Sequence, residues 1–181
     1  MKEFIYPEMM VHVPVCTSKA PENVLIISDA AELLSGEMSK HNDIDSSVIG
    51  ANLDALRDAG ENSADVVICE LDADAAVVAH ISRVLKEDGQ LCIAHPHLDE
   101  TDKNKTLMQA LGRYFKIIMP FNLGNGSTAL LASKEYHPTA DIILQRADMI
   151  DGLNCYNCDV HVAAFAMPNY IRKEYLGIIR N

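Results

Sequence analysis

The sequence predicts an α/β fold: a mostly parallel sheet wound with helices and closed by an antiparallel hairpin. Three observations carry this. Short β-branched runs such as Val24–Ser28 and Val66–Cys69 are apolar along their length, as strands buried on both faces must be. They alternate with segments of helical periodicity, the order expected of a parallel sheet. Late in the chain, Lys116–Phe121 and Ala129–Ser133 are joined by the short polar stretch Asn-Leu-Gly-Asn-Gly-Ser-Thr, which suits an antiparallel pair.

Taken in order, Phe4–Val15 is apolar at near-helical spacing, with Pro7 tolerated in a first turn and Pro14 expected to end the run. Val24–Ser28 is a buried strand. Ala30–His41 reads as a helix interrupted at Gly36, with Asp29 as its N-cap. Asn42–Asp45 is a polar turn, Ser46–Gly50 a short strand, and Leu53–Ala59 a helix stopped by Gly60. After the strand over Val66–Cys69, Ala75–Lys86 is helical, with Val77, Val78, Ile81, Val84 and Leu85 on one face. Glu87-Asp88-Gly89 reads as a turn and Leu91–Ala94 as a strand. Lys103–Tyr114 and Thr139–Ile150 are expected helices, and Pro168 opens a last one reaching about Ile179. The pattern matches a Rossmann-like, methyltransferase-type sheet. No repeats or low-complexity tracts interrupt it, so residues 1–181 read as a single domain.

Composition narrows the function classes. A net charge of −11 argues against nucleic acid and against anionic membrane surfaces, and is compatible with a cationic ligand. No apolar run approaches the ~20 residues of a membrane span, and the opening Met-Lys-Glu-Phe-Ile-Tyr-Pro-Glu lacks a signal-peptide pattern, so a cytoplasmic location is expected. Cys16, Cys69 and Cys92 read as reduced core residues. Cys155 and Cys158 form a lone CxxC without matching ligands elsewhere, and His95-Pro96-His97 lacks a third ligand nearby, so neither predicts a metal.

The stretch carrying most chemistry is Ala64–Asp74. Its strand is followed by Glu70, Asp72 and Asp74 within five positions. Ligands of open α/β sheets bind outside the carboxyl ends of the strands, so these acids stand where a site would form. While the chain stays extended they share one side, and their mutual repulsion invites a cation. The competing reading is a solvated acidic loop.

Both ends of the chain carry recognisable blocks. Phe4-Ile5-Tyr6-Pro7-Glu8-Met9-Met10, His12-Val13-Pro14 and the strand Val24-Leu25-Ile26-Ile27 form the first. Tyr156-Asn157, Asp159-Val160-His161, Ala163-Ala164-Phe165 and Met167-Pro168 form the second. Leu85–Gly89, Met119-Pro120 and Ala132–Lys134 fall between them in the right order. The blocks resemble Y-x-E-M-x-x-H-x-P and Y-Y-N-x-x-V-H-x-A-A-F-x-L-P of the spermidine synthase (polyamine aminopropyltransferase) family. The resemblance implies aminopropyl transfer from decarboxylated S-adenosylmethionine, a co-substrate rather than a resident cofactor, to putrescine. It implies a small amine, putrescine or spermidine, as partner, and leaves a homo-oligomer open. It places Glu70 on the catalytic acid, Tyr6 on a diamine-side tyrosine and Tyr156 on a tyrosine near the reacting amine. Asp72 or Asp74 stands in for a second acid.

Departures fall on the nucleoside side. The family's G-G-G-D-G-G loop is replaced by Ser28-Asp29-Ala30-Ala31-Glu32-Leu33, which has no glycine to let the backbone approach a ligand closely and leaves Asp29 as the candidate contact to the co-substrate. The segment from His41 to Gly50 is too short for the usual strand–helix–strand, so one β–α unit is reduced and the acid holding the ribose goes with it. The family's N-terminal β-strand domain has no counterpart in residues 1–181. These departures predict weak nucleoside binding and open a second expectation, a catalytically inactive member serving as an amine-binding, protein-interaction or structural subunit. A methyltransferase would need the same missing loop. Other roles are also consistent with the blocks: Glu8 and His12 satisfying each other, Tyr6 covering the core edge with its hydroxyl in water, and Phe165 and Pro168 packing.

Overall fold

Alternate residues of the central strands feed two separate cores, and this places a helix layer on each face of the sheet. A computed structural model describes residues 2–181. Its elements are α1 (Ile5–Thr17), β1 (Asn23–Ile27), α2 (Glu32–Met38), β2 (Asp45–Ile49), α3 (Leu53–Asp58), β3 (Ala64–Cys69), α4 (Ala75–Val84) and β4 (Leu85–Ala94). They are followed by α5 (Thr101–Leu111), β5 (Ile117–Asn122), β6 (Thr128–Ser133), α6 (Leu144–Asp148), α7 (Cys158–Ala164) and α8 (Asn169–Glu174). Leu25, Ile27, Val67, Cys69, Leu91 and Ile93 face the core shared with α4, α5 and α8. Val24, Ile26, Val66, Ile68 and Cys92 face the other, shared with α1, α2, α6 and α7. Cys16, Cys69 and Cys92 are free and buried, as small apolar residues of these cores.

The six strands run in the order β2-β1-β3-β4-β6-β5. β2, β1, β3 and β4 are parallel, while β6 is antiparallel to both β4 and β5. β1 is therefore flanked by β3, with Ile27 opposite Cys69, and the hairpin ends the sheet as its loop residues predict. On the opposite edge the reduced unit leaves β2 alone. Its residues Asp45–Val48 are exposed, and among the described residues β2 pairs only with β1.

Several boundaries differ from expectation for identifiable reasons. α1 passes through Pro14 to Thr17, because Pro14 lies in its last turn and costs one backbone bond while Pro7–Thr17 are all buried. Glu87-Asp88-Gly89 is not a turn between elements but an irregularity within β4. The β3 partner steps from Ala64 to Val66 while β4 steps from Leu85 to Gln90. Gly36 sits inside α2 rather than breaking it. The expected helix over Thr139–Ile150 shrinks to α6, because the Ile143 N–H donates to the Cys16 carbonyl and pins the preceding chain on α1.

Candidate active site at the carboxyl ends of β1 and β3

Glu70 is the first residue beyond β3, and its N–H donates to the Ile27 carbonyl at 2.9 Å, extending the parallel ladder by one bond. That bond sets Glu70 beside Ser28, the first residue beyond β1. The Tyr6 hydroxyl, from the first turn of α1, donates to Glu70 Oε1 at 2.8 Å. The Ser28 hydroxyl donates to Oε2 of the same carboxylate. The Ala30 N–H donates to Ser28 Oγ at 3.0 Å, which leaves the serine proton directed at the carboxylate. Burial, then the bond to Glu70, raises the Tyr6 phenol far above its ordinary range, so it remains a proton donor at all ordinary pH. A carboxylate has about four lone-pair sites. The two donors fix its orientation and leave acceptor capacity for a third.

Asp72 and Asp74 part company with Glu70. The strand ends at Cys69, so alternation no longer holds the three acids on one side. Glu70 turns towards α1 and β1, whereas Asp72 and Asp74 line a cleft of about 590 Å³ with Ala94, Asp102, Lys103 and Leu107. Asp74 is the N-cap of α4, accepting from the Ala76 and Val77 N–H groups at 2.9 Å each. Asp29 does not cap α2: the N-cap position is Ala31, without a side-chain bond. The Asp29 carboxylate instead accepts from the Ala51 N–H at 2.9 Å, tying the loop after β1 to the loop after β2.

The structure places the Tyr156 hydroxyl in a different network. Tyr156 is buried, and its hydroxyl meets His161 Nδ1 at 2.8 Å. His161 Nε2 lies 2.9 Å from the Pro138 carbonyl, which can only accept, so Nε2 carries the proton and Tyr156 donates to Nδ1. Burial pushes His161 down to about 4 and raises Tyr156 far above its usual range.

Glu8 and His12 do not satisfy each other. The buried Glu8 carboxylate accepts from three consecutive backbone N–H groups, Asn154 at 3.0 Å, Cys155 at 2.7 Å and Tyr156 at 2.9 Å. It thereby clamps the C-terminal block onto α1. His12 is sandwiched between Glu37 Oε2, 2.9 Å from its Nε2, and His41 Nε2, 3.0 Å from its Nδ1. Lys40 lies 2.8 Å from Glu37. Burial and the neighbouring His12 push His41 down to about 4. Neither Glu37 nor His41 was detectable as a partner, because their segment has no counterpart pattern to read. Ser28 had a faint signal: a hydroxyl where the resembling family has glycine.

His95 joins β4 to α5 and β6, with Nδ1 2.7 Å from Asn104 Oδ1 and Nε2 2.9 Å from Thr128 Oγ1. The Cys158 thiol donates to Asp148 at 3.0 Å, and partial burial together with that carboxylate pushes it up to about 11, away from reactive thiolate. Among the described residues no group of three or more His, Cys, Asp or Glu side chains is arranged to hold a metal ion. Among them, too, no helix is long and apolar enough to cross a membrane.

Residues 3–81 match the spermine/spermidine synthase domain. A polyamine aminopropyltransferase of Helicobacter acinonychis (strain Sheeba) is 31% identical over 115 residues, covering 60% of this chain and 44% of the relative. The matched stretch is thus less than half the length of that curated relative. A spermidine synthase crystal structure in complex with the transition state analogue AdoDATO matches with a TM-score of 0.84 at 22% identity, covering 95% of this chain and 75% of the other. The Thermotoga maritima spermidine synthase structure matches with a TM-score of 0.82 at 24% identity, covering 95% and 74%. At these identities the two structures establish a common fold.

Proposed function

We propose that the chain is a member of the spermine/spermidine synthase family, whose domain model matches residues 3–81, and that it is an aminopropyltransferase acting on decarboxylated S-adenosylmethionine and putrescine. The observation that carries the proposal is the Tyr6–Glu70 pair. Two residues 64 positions apart meet at 2.8 Å outside the carboxyl ends of the central strands, where α/β sheets hold their ligands.

The chemistry follows from what an amine nucleophile requires. An alkyl amine of pKa ~10 is protonated at neutral pH and has no lone pair to offer. Glu70 accepts the proton, and the freed nitrogen attacks the carbon beside the sulfonium. The new C–N bond forms as the C–S bond breaks, and its electron pair returns to sulfur as the neutral thioether, methylthioadenosine. Tyr6 orients the base through Oε1. Asp72 and Asp74 line a cleft apart from Glu70, and their charge favours the approach of a dication rather than fixing it at the base. Tyr156 lends no hydroxyl to the amine, since that hydroxyl is buried and committed to His161.

The test is incubation with decarboxylated S-adenosylmethionine and putrescine, with spermidine and methylthioadenosine quantified by mass spectrometry. Both products should form in equal amounts, and Glu70→Gln should lower turnover by roughly 10²-fold or more, as expected on losing a general base. The alternative reading is an amine-binding subunit without transfer. Diamine binding without either product would select that reading over the enzyme.

A further inference from the structure

Glu70 lies directly after β3 and Ser28 directly after β1, and the parallel register carries them to the same level. A glutamate at this position reaches one methylene further than an aspartate and has one more rotatable bond, so its carboxylate needs restraint if it is to meet a substrate in one orientation. Tyr6 restrains one oxygen from the α1 side. Among the described residues the other oxygen is met only by Ser28, which is 4% exposed and follows the last residue of β1. The Ala30 N–H fills an acceptor site of the serine hydroxyl, so that hydroxyl's single proton is free to be directed to Glu70.

We propose that Ser28 is a positioning residue for Glu70, holding the longer carboxylate against Tyr6 so that its remaining lone pairs face the amine. The functional half of this statement rests on the amine-site reading above; the positional half does not. The competing account is that Ser28 only closes the turn through Ala30, in which case its loss leaves Glu70 where it is.

Carbodiimide coupling followed by peptide mass spectrometry separates these, because it reads the accessibility of Glu70 itself without any ligand. Ser28→Ala should raise the coupling rate at Glu70 several-fold while leaving the exposed Asp72 unchanged, and Tyr6→Phe should raise it similarly as the matching loss on the other oxygen. Ser28→Thr, which restores the hydroxyl, should return the rate towards that of the unaltered protein. Unchanged coupling at Glu70 in Ser28→Ala, with the Tyr6→Phe control responding, would overturn the proposal even if Ser28→Thr fails to fold. A parallel thermal melt with millimolar putrescine keeps the two claims apart. An unaltered protein that gives no shift refutes the amine site while the coupling result still decides the positioning, and a shift that survives intact in Ser28→Ala refutes the functional half alone.

Discussion

Glu70 is half-buried between two hydroxyls, and its charge is the feature a dication would recognise. A ligand that binds only the folded state raises its melting temperature by mass action, so putrescine should stabilise the protein, less so at high salt where exposed charges are screened. Glu70→Gln should remove most of that shift at nearly constant volume. Tyr6→Phe should reduce it more modestly, since the carboxylate keeps its charge and loses one oriented donor. A shift of equal size in Glu70→Gln would instead indicate general screening of the −11 charge. Glu8 makes a contrasting prediction, because its carboxylate sits on backbone donors rather than in a site. Glu8→Gln turns an amide donor towards three N–H groups and should cost about 2–3 kcal/mol in urea unfolding, through the loss of charge-assisted bonds. An unchanged urea midpoint would deny the clamp. The Tyr6–Glu70 meeting was legible from the first block, which supplies Tyr6, and the strand-end rule, which places Glu70. The Tyr156–His161 pair was not, although both residues were in the C-terminal block, because a motif names residue types and leaves the direction of a hydroxyl unspecified.

The loop between β3 and α4 shows how far periodicity reads. Alternation places Glu70, Asp72 and Asp74 together only as long as the chain is extended, and the strand stops one residue before Glu70. From there the helix start takes over: Asp74 bonds two N–H groups of the first turn of α4 and turns the chain out of the ladder. The cap and the charge of Asp74 are separable. Asp74→Asn keeps a good capping side chain, so stability should change little. Asp74→Ala should lose about 1 kcal/mol by chemical denaturation. If Asp74 also attracts the distal ammonium, both variants should lose the same part of the putrescine shift; an undiminished shift in both would restrict Asp74 to capping. Elsewhere the buried parallel strands were the most legible elements, since nothing but strand pairing accommodates Val24–Ile27 and Val66–Cys69 between two helix layers. The weakest were segments ruled by distant partners. Arg146 donates to the Val15, Ser18 and Lys19 carbonyls at the end of α1, so α6 is shaped by tertiary bonds that no local pattern around 139–150 encodes.

At the scale of the whole molecule, buried histidines make stability depend on pH in one direction. His41 and His161 are both buried, and both are pushed from 6.5 down to about 4, by burial first and, for His41, by its neighbour His12. Between those values the unfolded chain binds a proton at each and the folded chain does not. The unfolded state is therefore favoured as pH falls: the stability is fully present above about 6.5 and is lost progressively down to about 4. Glu37 adds to this from below. Burial opposes its ionisation, but the bonds from His12 and Lys40 outweigh burial and hold its carboxyl below 4.5, so it too loses stability as acid protonates it. Charge repulsion works the other way, because the −11 net charge relaxes as pH approaches the isoelectric point near 4.9. Those surface charges are spread out and screened, whereas a buried histidine displaced by more than two pH units is worth about 3 kcal/mol. The buried groups should win. Urea midpoints measured from pH 7.5 to 4.5 should fall steeply below pH 6.5, and His41→Asn should remove roughly half of that slope, since one of the two depressed histidines is then gone. A midpoint that stays level or rises towards pH 5 would mean that relief of surface repulsion, not the burial of His41 and His161, governs the acid limb.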